Sequence, residues 1–188
     1  MKNVKLILIV LLCVAMLAFG FVLGAMWAGN LARNLQKVAG GDFPQKQQEG
    51  TEKVDRSVEK ELLERVKKNP EDVEALAMLG DFYFDARQYK EAVEHYKKTL
   101  QLNPADGDTY NDLGLAQFYL GRNDEALKTL EDGVSAAPDY QRIYLTYGFV
   151  LSSLKENEEA VKVWKQAVEM DPDSSVGKEA KKFLEKIR

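Results

Sequence analysis

Side chains that could carry out covalent or metal chemistry are scarce in this 188-residue sequence. It holds one histidine, His95, and one cysteine, Cys13, and it lacks the zinc-protease, phosphate-loop and serine-hydrolase motifs. Adjacent carboxylates such as Glu158 and Glu159 are typical of a solvated helix surface, and a metal site needs clustered ligands. We therefore expect no enzyme and no metal or cofactor site, and we expect His95 to be a solvated surface residue.

A fixed interval of 34 residues organises most of the chain. It separates four prolines, three glycines and three alanines: Pro70, Pro104, Pro138 and Pro172; Gly80, Gly114 and Gly148; Ala92, Ala126 and Ala160. Such a period indicates a stack of one repeated unit, which offers a curved surface instead of a closed active-site cavity. Binding of another chain is therefore the first function to consider.

Within each unit the large apolar residues form two helical faces. With Val73, Gly107 and Gln141 as position 1, positions 4, 7 and 11 share one face and positions 24 and 28 share another. The proline at position 32 cannot continue a helix, so it ends the second helix of the unit. The stretches Leu76–Tyr83 (LAMLGDFY) and Glu91–Tyr96 (EAVEHY) resemble the tetratricopeptide repeat family, whose unit is a 34-residue helix–turn–helix.

This resemblance implies an all-α superhelical array of helix–turn–helix units with a capping helix, which we expect to follow one transmembrane helix. Three departures from the family pattern, Gln117 at position 11 and Thr99 and Gly133 at position 27, predict looser local packing. The predicted organisation is an N-terminal tail at 1–5, a membrane span at 6–29, a tether at 30–56, a half-repeat helix at 57–72, repeats at 73–106, 107–140 and 141–174, and a capping helix at 175–188.

The predicted membrane span is a run of uncharged residues, Leu6–Gly29. At about 1.5 Å per residue, a helix of this length reaches about 36 Å, which exceeds a hydrocarbon core of about 30 Å. The length favours an uncleaved signal anchor over a cleaved signal peptide, whose apolar region has only about 7–15 residues. Ala28 and Gly29 are small enough for cleavage, so the second interpretation stays open.

The topology of the span depends on the basic residues that flank it. Two lysines in the tail favour a cytoplasmic N-terminus, whereas Arg33 and Lys37 weigh against it. We expect the array to lie outside the cytoplasm, as in a bacterial periplasm. Gly20 and Gly24 form a G-x-x-x-G pattern, which lets two membrane helices associate closely and makes a homodimer an open possibility.

Charge is divided unevenly along the chain. Residues 1–56 carry 7 Lys and Arg against 4 Asp and Glu, whereas residues 57–188 carry 19 against 26. The array is therefore acidic, which argues against a nucleic-acid partner because such proteins present a basic patch. Partners with basic or neutral surfaces are favoured instead.

The family resemblance also implies which residues line the concave face, namely positions 2, 5, 9, 12 and 13 of each first helix. The predicted partner-binding groove consists of Glu74, Asp81, Phe84, Asp85, Asp108, Asn111, Leu115, Phe118, Tyr119, Arg142, Leu145 and Phe149. One end of this set is acidic and its middle is aromatic and aliphatic. Apolar groups of this kind indicate a binding surface, unless the final helix or the tether covers some of them.

Some members of the family hold a partner's C-terminal carboxylate in a clamp of lysine, asparagine and arginine. The matching positions here are Ala77, Asp81, Asp112, Arg142 and Thr146, of which only Arg142 fits. We therefore expect a helical or extended protein segment with apolar anchors and basic flanks. Two alternatives remain: an envelope assembly factor of the cytochrome c maturation type that presents an apoprotein, and a self-associating membrane scaffold.

Overall fold

The computed structural model describes residues 56–187. The predicted membrane span, the tether up to residue 55, Cys13 and the Gly20–Gly24 pattern lie outside the described residues. Across residues 56–187, no helix combines the length and the apolar character that crossing a membrane requires.

The described part is all α-helical. It contains eight helices: α1 (Arg56–Lys68), α2 (Val73–Asp85), α3 (Tyr89–Leu102), α4 (Gly107–Tyr119), α5 (Asn123–Ala136), α6 (Gln141–Ser153), α7 (Asn157–Met170) and α8 (Ser175–Lys186). Helix α1 begins at Arg56, one residue inside the predicted tether. The prediction of an all-α array of repeated helix pairs is confirmed for this part of the chain.

The first helix of each repeat begins at a 34-residue interval, and the residue before it decides how the helix is capped. Asp72 accepts a hydrogen bond from the backbone N–H of Ala75, and Asp106 accepts one from that of Thr109. These side chains satisfy donors that a helix N-terminus otherwise leaves unpaired. In the third repeat the position is Tyr140, which does not cap α6 with its side chain.

Each repeated glycine makes room for a large side chain of the following helix. A Cβ atom on Gly80 would overlap the ring of Tyr96, and one on Gly148 would overlap the indole of Trp164. The second repeat has the same arrangement, with Leu130 against Gly114. The helices of each pair therefore approach closely because position 8 has no side chain.

The expectation of looser packing at position 27 is wrong for Gly133. Gly133 is buried, and the space that a Cβ would need is filled by Ile143 and Tyr110. Thr99 is fully buried, and its hydroxyl donates to the backbone carbonyl of His95 at 3.1 Å. Larger neighbours thus compensate for the missing side chain at Gly133.

Successive helices pack along the chain, and the first helices also pack on one another. Helix α4 contacts both α2 and α6, while α8 contacts both α6 and α7. The buried core runs through these contacts, from Leu62 of α1 to Phe183 of α8, whose ring stacks on Trp164. This stacking lines up α2, α4 and α6, the three helices that carry the predicted groove residues.

Candidate partner-binding groove

The structure exposes most of the predicted groove residues to different degrees. The charged side chains are exposed, together with Tyr119, which is 46% exposed. Four apolar residues are half-buried: Phe84, Leu115, Phe118 and Phe149. Partial exposure leaves an apolar surface that another chain can cover.

Two of the predicted groove residues are not on the surface. Asn111 is 2% exposed and Leu145 is 6% exposed. Both lie on first helices that contact other helices on two sides, since α4 packs against α2 and α6, and α6 packs against α4 and α8. The prediction of a directly contacting surface is therefore wrong for these two positions; they support the groove from beneath.

Five aromatic side chains form a continuous series of ring contacts, which we call the aromatic row. Its members are Phe84, Tyr89, Tyr119, Phe118 and Phe149, with ring centroids 5.0 to 5.9 Å apart between neighbours. Centroid distances of this length are typical of favourable aromatic pairs. The row spans residues from all three repeats, so one extended apolar strip crosses the stack.

Tyr89 belongs to the aromatic row although sequence reasoning did not include it. It is the first residue of α3, and its ring lies 5.0 Å from that of Tyr119 in the next repeat. The family positions describe first helices only, so a residue of a second helix was missed. Met78, 41% exposed, is a second omission, because its i+3 and i+7 spacing places it on the face of α2 that carries Asp81 and Asp85.

Three carboxylates form the acidic part of the groove, and we call them the aspartate cluster: Asp81, Asp108 and Asp112. Each accepts a hydrogen bond from one neutral donor. The hydroxyl of Tyr96 donates to Asp81 at 2.9 Å, and that of Tyr140 donates to Asp108. The side-chain amide of Asn111 donates to Asp112 at 2.8 Å. Tyr140, which does not cap α6, thus contributes to the groove instead, because it orients Asp108 of the second repeat.

The electrostatics of the cluster follow from burial and from mutual repulsion. Burial raises the pKa of Asp112 from 3.8 to about 7, and the charges of Asp108 and Asp81 add to this rise. The hydrogen bond from Asn111 and the charge of Arg142 oppose it. Burial likewise raises the pKa of Asp81. The neutral form of Asp112 is therefore well populated near neutral pH.

The donors of the cluster stay protonated at neutral pH. Burial raises the pKa of Tyr96 and of Tyr140 above that of a free phenol, and the carboxylate each one contacts adds to the rise. Both hydroxyls therefore keep the proton that they donate to Asp81 and Asp108. Neither hydroxyl is therefore free to donate to a bound ligand.

His95 is not the solvated surface residue that the sequence predicted. Its ring is half-buried and stacks on Tyr83 with centroids 5.3 Å apart, while the Tyr83 hydroxyl donates to Glu59 of α1 at 3.0 Å. Burial lowers the pKa of His95, and its Nδ1 has no hydrogen-bond partner among the described residues. The histidine belongs to the packing between α1, α2 and α3.

Metal binding finds no support in the part of the chain that the structure describes. Between residues 56 and 187, no group of three His, Cys, Asp or Glu side chains is arranged to hold a metal ion. This includes the aspartate cluster.

Comparison with known proteins relates the array to a repeat family. A family model described as "Tetratricopeptide repeat" matches residues 83–142 and 118–187. The Hsp70-Hsp90 organizing protein 3 of Arabidopsis thaliana is 30% identical over 91 residues, which cover 48% of this chain and 16% of that protein. The chain thus spans less than a fifth of the length of this curated relative.

Two solved structures resemble the described array in fold. The crystal structure of MamA has a TM-score of 0.59 at 23% identity, covering 71% of this chain and 86% of that one, and shows the fold alone. The first repeat domain of Spaghetti (RPAP3), bound to the HSP90 peptide SRMEEVD, has a TM-score of 0.55 at 26% identity, covering 61% and 89%. The matched residues make up more than half of the chain, which therefore belongs to the tetratricopeptide repeat family and carries a protein-interaction module of that type.

Proposed function

We propose that this protein is a membrane-anchored interaction module that holds a segment of a partner protein in the concave groove. The observation that carries the proposal is the aromatic row, which runs across three repeats and keeps its members partly exposed. Exposed apolar surface of this extent has a cost in water that a bound chain removes. The partner is a helical or extended segment with apolar anchors and basic flanks.

The charge of the groove separates this partner from the peptide bound by the RPAP3 domain. That peptide, SRMEEVD, ends in acidic residues. Here two of the positions that match the carboxylate clamp are Asp81 and Asp112, and a third, Thr146, is buried. An acidic tail would be repelled at this site, whereas a basic flank is attracted to it.

The other parts of the proposal concern the setting of the groove. The apolar run Leu6–Gly29 acts as a signal anchor, the tether gives the array reach from the membrane, and the array lies outside the cytoplasm. The protein acts by recognition and has no catalytic activity of its own. Nucleic acid is not its partner, because residues 57–188 are net acidic.

The test is a cross-linking pull-down with the full chain from membranes of its own cells. Phe118→Ala combined with Phe149→Ala removes the middle of the aromatic row, and we expect at least a tenfold loss of the specific partner, since aromatic anchors dominate interfaces. Met170→Ala is the control, because it removes a 38% exposed apolar side chain at the end of α7, outside the groove.

Either of two results contradicts the proposal. Equal recovery of partners by the wild type and the double variant would show that the aromatic row does not bind them. Recovery of this protein alone, in both the wild type and the variant, would favour the self-associating scaffold instead.

A further inference from the structure

The aspartate cluster has a property that the aromatic row does not explain: no lysine or arginine among the described residues forms a salt bridge with it, and Arg142 acts on Asp112 only from a longer distance. The ion pairs found between residues 56 and 187 involve other carboxylates, such as Asp72 and Glu125, and none joins Asp81, Asp108 or Asp112 to a lysine or arginine. Asp112 is partly buried, whereas Asp81 and Asp108 are exposed. A partly buried carboxylate without a salt bridge is unfavourable when charged, and it favours a ligand that supplies a cation.

A second, independent observation lies against the same cluster. Asn111 is 2% exposed, and its Oδ1 has no hydrogen-bond partner among the described residues. Its Nδ2 donates to Asp112, which places this unpaired acceptor beside the carboxylate. Buried acceptors of this kind are uncommon and mark places where a donor is absent.

The available donors and acceptors define the chemistry of the missing group. The hydroxyls of Tyr96 and Tyr140 and the amide of Asn111 already donate to the three carboxylates. When Asp112 is ionised, the cluster offers acceptors only: three carboxylates, with the unpaired amide oxygen of Asn111 buried beside them. Lysine and arginine side chains have donors and no acceptor, and they carry the complementary charge.

We infer that the aspartate cluster, with Asn111 buried beneath it, forms a seat for a lysine or arginine side chain of the bound segment, next to the aromatic row. This inference rests on the proposed function, since the segment is the one held in the groove. The basic flank of that segment then binds at a defined place in the groove, and is not merely attracted by the net charge of the array.

The geometry of α4 also sets the spacing within the bound segment. Asp108, Asp112, Leu115 and Tyr119 follow one another at intervals of four, three and four residues, so they lie along one face of the helix. At about 1.5 Å per residue, Asp112 and Tyr119 are about 10 Å apart along the axis. The cation and the apolar anchor are therefore about three residues apart in an extended segment, or about seven in a helical one.

Binding at this seat depends on pH with a defined sign. A cation at the cluster stabilises the charged form of Asp112. Without that cation, burial raises the pKa of Asp112 to about 7. Below pH 7 the carboxyl is mostly protonated and has to release its proton on binding, whereas above pH 7 no proton is released. The affinity therefore rises about tenfold from pH 6 to pH 8 and then levels off, since each proton released per pH unit changes the affinity about tenfold.

The groups that face Asp112 from neighbouring helices do not reverse this sign. Asp81 of α2 and Asp108 of α4 raise its pKa, and Arg142 of α6 lowers it. Tyr96 of α3 and Tyr140 keep their protons in this range because burial raises the pKa of both. His95, the one histidine of the chain, stacks on Tyr83 and does not join the cluster.

The experiment is a peptide selection against the full chain in detergent micelles. A random library of 12-residue peptides without histidine is displayed on phage and selected with the wild type, with Asp112→Asn, with Phe118→Ala and with Glu158→Gln. The last variant removes the same charge from an exposed position of α7 and is the matched control. Circular dichroism verifies that each variant is folded.

We expect the wild type and Glu158→Gln to enrich lysine or arginine severalfold at a fixed distance of about three or about seven residues from an aliphatic or aromatic residue. Asp112→Asn should lose that enrichment while keeping the apolar preference, and Phe118→Ala should lose the apolar preference. Calorimetry with one selected peptide should show about tenfold tighter binding at pH 8 than at pH 6 for the wild type, and no such change for Asp112→Asn.

The outcomes separate the two proposals. If the selected peptides lack basic residues, or if their enrichment persists in Asp112→Asn, the cation seat is wrong while the groove stands, provided that Phe118→Ala still loses binding. A pH-independent affinity in the wild type also overturns the seat. If no peptide depends on Phe118, the groove proposal fails, and the seat fails with it.

Discussion

Asp72, at the start of the stack, and Asp112, in the groove, differ in their hydrogen-bond donors: a cation for the first and a neutral amide for the second. At the junction of α1 and α2, the guanidinium of Arg65 donates to both oxygens of Asp72 at 3.1 Å and to Glu74 at 2.7 Å. In the groove, Asp112 accepts from Asn111 and no cation pairs with it among the described residues. One carboxylate is paired with a cation of its own chain, and the other is not.

The two sites shift the pKa of the same residue type in opposite directions. The hydrogen bond from Ala75 and those from Arg65 hold the pKa of Asp72 below its usual value. Burial raises the pKa of Asp112 to about 7. Charge on Asp72 thus stabilises the folded state, whereas charge on Asp112 destabilises it. This difference can be tested by removing each group in turn.

The largest effect is expected from Asp112→Asn, which keeps the acceptor for Asn111 and removes the charge. Because the folded pKa of Asp112 is raised, the folded state binds more protons than the unfolded state between pH 3.8 and about 7. The wild type therefore loses stability as pH rises through that window. We expect the variant to be more stable by about 2–4 kcal/mol at pH 8, with the difference small near pH 4.

Urea unfolding of the full chain, followed by circular dichroism at pH 4 and pH 8, measures this difference. Glu158→Gln serves as the control and should change stability little at either pH, since its position is exposed. A gain for Asp112→Asn that is equal at both pH values would show that the carboxylate is not a source of strain. If Asp112→Asn is more stable and also loses the enrichment of basic peptides, then the charge of Asp112 favours binding and destabilises the fold.

An intermediate effect is expected at Asp106, an aspartate that serves the fold of the second repeat. It accepts from the backbone N–H and from the hydroxyl of Thr109, at 3.2 and 2.9 Å. Asp106→Ala leaves the first turn of α4 without its cap and should cost about 1–2 kcal/mol. Asp106→Asn, which keeps an accepting oxygen, should recover most of that loss. Unfolding free energies of the two variants at pH 7 decide the point.

The sequence predicted the contacts within each repeat better than the contacts between repeats. The 34-residue period predicted the helix pairs, because it repeats the contacts made inside each unit, such as Gly80 against Tyr96. It did not predict the burial of Asn111 and Leu145, which depends on how one first helix lies against the next. Angles between repeats are set by packing across units, and a period measured within a unit carries no information about them.

Similar reasoning accounts for the other omissions. Gly133 packs tightly because Tyr110 of its own repeat and Ile143 of the next fill the space, so neither the family pattern nor the glycine itself revealed it. His95 is half-buried because Tyr83 stacks on it from α2. The unpaired charge of the aspartate cluster was also hidden, since a sequence gives the number of charges and not the distances between them.

The smallest effect is expected from Arg65→Gln, which directly tests the difference between Asp72 and Asp112. The substitution removes the cation that pairs with Asp72 and Glu74. Asp72 still caps α2 by accepting from the backbone N–H of Ala75. Since the folded pKa of Asp72 is lowered, its ion pair contributes stability above the unfolded value of 3.8 and loses it as pH falls through the folded pKa. The variant should therefore unfold at a slightly lower temperature than the wild type at pH 7 and at the same temperature near pH 2. Lys67→Gln, an exposed change of the same charge on α1, should lower the temperature less. Equal effects of the two variants at pH 7 would show that net charge, and not the pairing of Asp72, distinguishes this end of the stack from the groove.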